Sequence, residues 1–314
     1  MDNLEKSIIQ TLAYFDYFSH PLTNEELFRY LWKPPLDIKY DVFLARLNEF
    51  SIIGDKIQKK YCYYFLSGRE SIVEDRRLKT YINDRKHKLA RKAVKKIRYI
   101  PFVRAVMLCN NSSFEMAKEE SDIDIAIIVK SKRMWIARLF TTIILSVFGM
   151  RRHRKKITNR ICLSFYACDE NLDFSSLIIT EPDIGLVYWI AQFVAIYDPK
   201  GIRALLTREN SWLKKYVPNA LECDTLSDRF FVNGCLFSKA IKFFFEKMWE
   251  GWYGNIIDSQ AKNFQLAKMK MNSHSVQNEP DTRVIISDQV LKFHEKDRRI
   301  EYKEEWVRKV DALI

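Results

Sequence analysis

The run Ile123-Asp124-Ile125-Ala126-Ile127-Ile128-Val129 constrains the fold more than any other part of this chain. It is rich in β-branched residues, short, and preceded by the polar pair Ser121-Asp122, so it reads as a buried strand. Residues i and i+2 of a strand point to one face, which places the Asp122 and Asp124 carboxylates side by side at the strand's entry. Two adjacent like charges at the end of a core strand are costly unless a cation compensates them, and a hard divalent cation such as Mg2+ does so through oxygen ligands. Asp122 and Asp124 are therefore the primary catalytic and metal-ligating candidates.

Charge patterning around this strand extends the argument. The 314-residue chain carries a net charge of +12, yet 20 Lys and Arg against five Asp and Glu lie between Arg85 and Arg160, so that stretch holds the whole positive excess. Acids are absent from Arg85 to Phe114 and again from Ile125 to Cys168. A cationic surround on an acidic metal site favours a polyanionic ligand, a nucleoside triphosphate or a nucleic acid. Six cysteines show neither a CxxC pair nor a Cys/His ligand spacing, and the N-terminus lacks the charged-then-apolar pattern of a signal peptide, which together suggest reduced thiols in a cytoplasmic protein. Met134 to Met150 is apolar but interrupted by Arg138 and short for a span. It is expected to be a buried crossover helix, with no stable membrane insertion.

With 47% hydrophobic residues the chain can form two or three domains. Residues 1–69 read as three helices, the second opened by Thr23 with Glu26 in a capping box, followed by two short strands at 51–57 and 60–66. This is the pattern of a winged helix. Residues 70–100 form a basic connector helix, and the wing together with residues 85–98 offers a possible nucleic-acid contact. Pro101 ends that helix, and residues 101–180 follow as a core. Its order is strand 102–109, polar turn, short helix, the Asp-bearing strand, apolar helix, basic loop Arg151 to Lys156, and a third strand from Arg160 to Tyr166. Residues 181–314 read as a helical region. In it the aromatics of Phe237 to Trp252 are expected mainly in a core, Met271 to Arg283 in a polar loop, and Lys292 to Arg299 on one helix where His294 and Asp297 share a face with Arg298.

This order, with its paired aspartates, resembles the nucleotidyltransferase domain of the polymerase-β-like superfamily. The resemblance covers residues 102 to about 170 with clear motifs. The wider layout, including Asp183 to Gln192 and Leu291 to Arg299, is similar to uncharacterised bacterial members. It implies an α+β fold: a small mixed sheet with flanking helices, an N-terminal winged helix and a C-terminal helical region. By the same resemblance Asp122 and Asp124 hold Mg2+, two ions expected and one possible, for in-line transfer of a nucleoside monophosphate from a nucleoside triphosphate to an unidentified hydroxyl acceptor. The family's Gly-Ser turn maps onto Asn110 and Asn111, and a second turn glycine onto Glu115. Asparagine is the next-best residue for positive φ, and its amide can donate to phosphate. Ser112, Ser113 and Ser121 offer hydroxyls, and Arg151 and Arg152 a triphosphate clamp. The family's third carboxylate sits on the next strand, but Ile161 to Ala167 contains no acid. Asp169, with Glu170 beside it, is the substitute metal ligand. The alternative is a catalytically degraded nucleotide-binding or nucleic-acid-binding regulator that uses the winged helix.

Overall fold

The computed structural model describes residues 1–49, 55–110, 113, 116–153, 156–221, 230–271, 276, 279 and 281–314. Within them the chain is α+β, with ten α-helices and two sheets.

Helix α1 (Asn3–Tyr17) begins at an Asp2 capping box with Glu5, and α2 (Asn24–Arg29) begins at the Thr23–Glu26 box expected from the sequence. Helix α3 (Tyr40–Glu49) follows. Strands β1 (Leu22–Thr23), β2 (Ile57–Lys60) and β3 (Tyr63–Leu66) form an antiparallel sheet in the order β1-β3-β2. Residues 51–54 of the expected first strand lie outside the described residues. Helix α4 (Ser71–Ile97) is the basic connector, and it packs its Ala90, Ala93, Val94 and Ile97 stripe inward at 3–4 residue spacing.

The larger sheet has six strands in the order β7-β4-β5-β6-β9-β8. Strands β4 (Val103–Leu108), β5 (Ile123–Val129) and β6 (Ile161–Cys168) come from the central core. The β4/β5 pair is antiparallel, and β5/β6 is parallel through the crossover helix α5 (Met134–Val147). Strands β7 (Val194–Tyr197), β8 (Val284–Ile286) and β9 (Val290–Phe293) come from the region expected to be helical. They are only three or four residues long and sit among longer helical patterns, so periodicity alone did not separate them. The interleaved helices are α6 (Ile184–Ala191), α7 (Ile202–Glu209), α8 (Leu236–Met248), α9 (Gly251–Lys270) and α10 (Arg299–Leu313).

The sheet is buried on both faces, and strand alternation divides the core. Ile123, Ile125, Ile127 and Val129 pack towards α4 and α5, whereas Ala126 and Ile128 share the opposite core with Met107, Phe165 and α6. That second core is continuous with the N-terminal segment: Tyr14 stacks on Tyr188 at 4.4 Å, the Tyr188 hydroxyl donates to the Tyr30 carbonyl, and Trp32 meets Trp306 edge-on. Each such ring contributes about 1.5–3 kcal/mol by its burial. The N-terminal segment and α10 thus form the wall of the face onto which Asp124 projects.

Candidate active site

Asp122 precedes β5 and Asp124 is its second residue, so both carboxylates lie at the strand's N-terminal end. The entry turn is fixed from behind by Lys86 of α4. Its fully buried ammonium donates to the Ser121 carbonyl (2.6 Å), the Asn159 side chain (3.1 Å) and the Glu119 carbonyl (3.3 Å). The Asn159 amide also donates to the Ser121 carbonyl at 3.1 Å, and Ile123 N–H to the Arg160 carbonyl at 2.8 Å. One lysine of the basic connector is therefore a positioning group for the Asp pair. No sequence signal distinguished it from its solvated neighbours.

Across the parallel register Asp124 lies opposite Cys162 of β6. The two carboxylates and the Cys162 thiol present donor atoms all within 4.8 Å of one another. Arg152 caps the group, donating to Asp122 at 2.6 Å and to the Cys162 sulfur at 3.6 Å, and Ser164 Oγ donates to Asp124 at 3.4 Å. Burial and then the neighbouring Asp122 charge raise the Asp124 carboxyl from 3.8 to about 6, against the opposing hydrogen bonds of Asn110 and Cys162. Burial and the two carboxylates push the Cys162 thiol up as well, so at neutral pH it is a protonated donor to Asp124. The cluster is short of positive charge.

The sequence-based candidates separate clearly. Asn110 adopts φ +53°, the left-handed conformation expected of it, accepts from Trp189 Nε1 at 2.6 Å and hydrogen-bonds Asp124. Asn111, Ser112 and Glu115 lie outside the described residues. The Ser121 hydroxyl turns away to the Lys118 carbonyl, and Ser113 Oγ to the Asn110 carbonyl. Arg151 and Arg152 alternate across an extended segment. Arg152 joins the site, while Arg151 exerts its charge on Arg138 and Tyr166 in the core on the other side of the sheet. Arg154 and Lys155 of the same loop lie outside the described residues.

Asp169 is corrected as a metal ligand. Its N–H donates to the Val129 carbonyl at the C-terminal end of β5, seven residues and roughly 23 Å along the strand from Asp122. There it accepts from Ser131 N–H at 2.9 Å and faces Arg104 at 3.6 Å. Because β6 runs parallel to β5, an acid just past the end of β6 falls at the wrong end of the sheet. The residue facing the pair is Cys162, which the parallel order alone could have indicated.

The pair opens into a cleft of about 520 Å³ between the sheet, α1, α6 and the β9–α10 segment. Lys292, His294, Lys296, Arg298 and Arg299 line its far wall, together with Glu295 and Asp297. The expected single helix over Lys292 to Arg299 is not formed. Lys292 pairs with Phe165 as part of β9, and α10 starts only at Arg299. Lys292 and Arg299 are buried and paired with Asp297 at 2.8 Å, and Arg299 also with Asp183 at 2.8 Å. His294 stacks edge-on against Trp189, burial drives its imidazole down to about 4, and its Nε2 has no hydrogen-bond partner among the described residues. The cleft thus offers a neutral imidazole, an indole, the exposed Lys296 and three cations already paired with Asp297, Asp183 or Glu301, opposite two carboxylates.

The three donor atoms lie close enough together that one metal ion could bridge them. Two carboxylates supply hard oxygen ligands, but the third position holds a protonated thiol, a poor partner for Mg2+. Comparison with protein-family models, curated proteins and solved structures yields no match to this chain. Among the described residues no helix is long and apolar enough to cross a membrane.

Proposed function

We propose that the protein is a nucleotidyltransferase-type enzyme that binds a nucleoside triphosphate and one divalent cation in the Asp122–Asp124 cleft. In this reading it transfers the nucleoside monophosphate to a hydroxyl acceptor. The observation that carries the reading is the paired carboxylates, under-compensated and half-buried, at the mouth of a cleft that also presents Arg152 and the exposed Lys296. Asp122 and Asp124 would hold the cation, which when bound polarises phosphoryl oxygens and lowers the acceptor hydroxyl's pKa. Arg152 neutralises Asp122 in the resting site and is placed to shift its bidentate fork to a phosphate. Trp189 gives a partly exposed aromatic surface near Asn110, and Lys296 an exposed charge without an ion pair among the described residues. The central strands, with one antiparallel and one parallel neighbour of β5, support a nucleotidyltransferase-type sheet in the same proposal. The N-terminal helices with their three-stranded sheet support a winged helix.

The test is calorimetric titration with each ribonucleoside triphosphate, with and without Mg2+ or Mn2+. Binding is expected to depend on the cation and to be lost on combining Asp122→Asn with Asp124→Asn. Cation-independent binding unchanged by that pair of substitutions overturns the reading. A second reading, a binding protein without turnover, is favoured specifically by Cys162 in the place of a third carboxylate. Tight nucleotide binding without pyrophosphate release in the presence of candidate acceptors distinguishes it.

A further inference from the structure

Helices α8 and α9 leave a set of large apolar side chains exposed while polar side chains anchor them to the body of the protein. In α8 the polar residues Ser238, Lys242 and Glu246, four apart, face inward beside the half-buried Ile241 and Phe245, while Leu236, Phe237, Phe243, Phe244 and Met248 point to solvent. Phe243 is 67% exposed and Phe244 62%. In α9 Asp258, Lys262 and Gln265 face inward together with Ile257, Ala261, Leu266 and Met269, while Trp252 is 75% exposed and Tyr253, Ile256 and Phe264 lie outside with it. An amphipathic helix usually buries its apolar residues; here Trp249, Ile257, Ala261, Leu266 and Met269 do pack inward, yet a second set of large apolar side chains stays outside on both helices.

The orientation of both helices is held by specific polar contacts. Glu246 accepts from Phe102 N–H at 2.7 Å and from the buried Arg104 at 2.8 and 3.2 Å. Lys242 donates to the Val103 carbonyl and the Tyr197 hydroxyl. At the helix junction, buried Arg133 donates to the Trp249 and Gly251 carbonyls, both at 3.1 Å, and to Asn255 at 2.7 Å. Asp258 accepts from the Trp135 and Ile136 N–H groups at the start of α5, and Gln265 bonds Arg138 and the Trp135 carbonyl. Gly254 permits the tight junction, since a Cβ there would lie 1.8 Å from the Trp249 carbonyl oxygen. Rolling either helix to hide its rings would strand these buried charges. The aromatic face is fixed outward, and contiguous exposed apolar surface of this kind marks an interaction site.

Charge selects the occupant. The exposed charged residues on the two helices are Lys239, Lys247, Lys268 and Lys270 against Glu250, which is itself paired with Lys247 at 3.0 Å. The other acids, Glu246 and Asp258, point inward. Helix α5, against which α9 packs, also packs on the basic helix α4, and the whole chain is +12. A second copy would bring the same sign to the interface. Exposed Trp, Tyr and Phe side chains flanked by lysines match an anionic lipid surface, where rings sit at the headgroup level and lysines meet the headgroups. We propose that the α8–α9 face binds peripherally to anionic membrane lipid, without spanning the bilayer.

The experiment is vesicle co-sedimentation of the full chain, using phosphatidylcholine alone and phosphatidylcholine with phosphatidylglycerol at low salt. Binding is expected to the anionic vesicles and weakly to the neutral ones. Combining Phe243→Ser, Phe244→Ser and Trp252→Ser should reduce it by about tenfold or more with unchanged circular dichroism and melting, because these rings are exposed. Lys239→Glu with Lys247→Glu should remove the anionic preference by a similar factor. No sedimentation with either vesicle overturns the proposal, as does equal sedimentation of wild type and the ring variant. Equal binding to neutral and anionic vesicles overturns the lipid class. A concentration-dependent dimer that the ring variant dissolves, without vesicle binding, assigns the face to a second copy instead.

Discussion

The two ends of strand β5 carry the same kind of cargo and treat it differently. At the C-terminal end Asp169 and Glu246 face the buried guanidinium of Arg104, and Glu246 also accepts a backbone N–H, so its carboxyl is held below its ordinary range despite burial. At the N-terminal end Asp122 and Asp124 share one half-exposed arginine and a protonated thiol, and Asp124 is driven up to about 6. One end is a finished ion-pair structure that fastens α8 to the sheet. The other holds more negative charge than its neighbours offset. A protein keeps such an imbalance where a ligand completes it, as perturbed carboxyls in clefts generally indicate.

The largest effect that could break this comparison lies at the finished end. Glu246→Ala leaves Arg104 buried without its closest partner, and denaturant unfolding should show a loss of about 3–5 kcal/mol. The same truncation logic runs in reverse at the open end. Asp124 has a folded-state pKa above its unfolded value, so its ionisation opposes folding, and the cost grows as pH rises from about 4 through 6. Asp124→Asn should therefore stabilise the metal-free protein by about 1–3 kcal/mol at pH 8 and leave it nearly unchanged below pH 4, as read from unfolding curves at both pH values. A destabilised Asp124→Asn at pH 8 would make the two ends equivalent.

Much of this contrast was legible in the sequence, and what was not has physical causes. The β-branched run identified β5, strand geometry gave the shared face of its aspartates, and the Asn110 turn followed from asparagine's tolerance of positive φ. Chain order did not reveal which end of the sheet Asp169 would reach, because that depends on the parallel direction of β6. The aromatics of Phe237 to Trp252, expected mainly in a core, leave Phe237, Phe243, Phe244 and Trp252 exposed, because hydrophobicity alone does not say which side of a helix faces in. The polar residues of α8 are held by Arg104, Phe102 and Val103, more than 130 residues away in the chain. Strands β7 to β9 are too short to show a period, and the roles of His294 and Lys292 depended on β9 joining the sheet.

Two smaller effects sharpen the comparison. Arg152→Gln removes a half-exposed cation whose role is exchangeable, so folding stability should change by less than about 1 kcal/mol. Calorimetric affinity for a magnesium nucleoside triphosphate should fall about tenfold, the size of one charge-assisted phosphate contact. Ser121→Ala should do least, within about 0.5 kcal/mol in stability and with nucleotide affinity unchanged, because the hydroxyl only closes its own turn on Lys118.

The decisive measurement is the thermal midpoint of wild type and Asp124→Asn at pH 8, with chelator and then with excess Mg2+ or Mn2+. A cation completing the open end raises the wild-type midpoint by several degrees, as ligand linkage of about 2–3 kcal/mol at a hundredfold excess over Kd requires, and leaves the variant where it was. An equal shift in both proteins, or none in the wild type, contradicts the account.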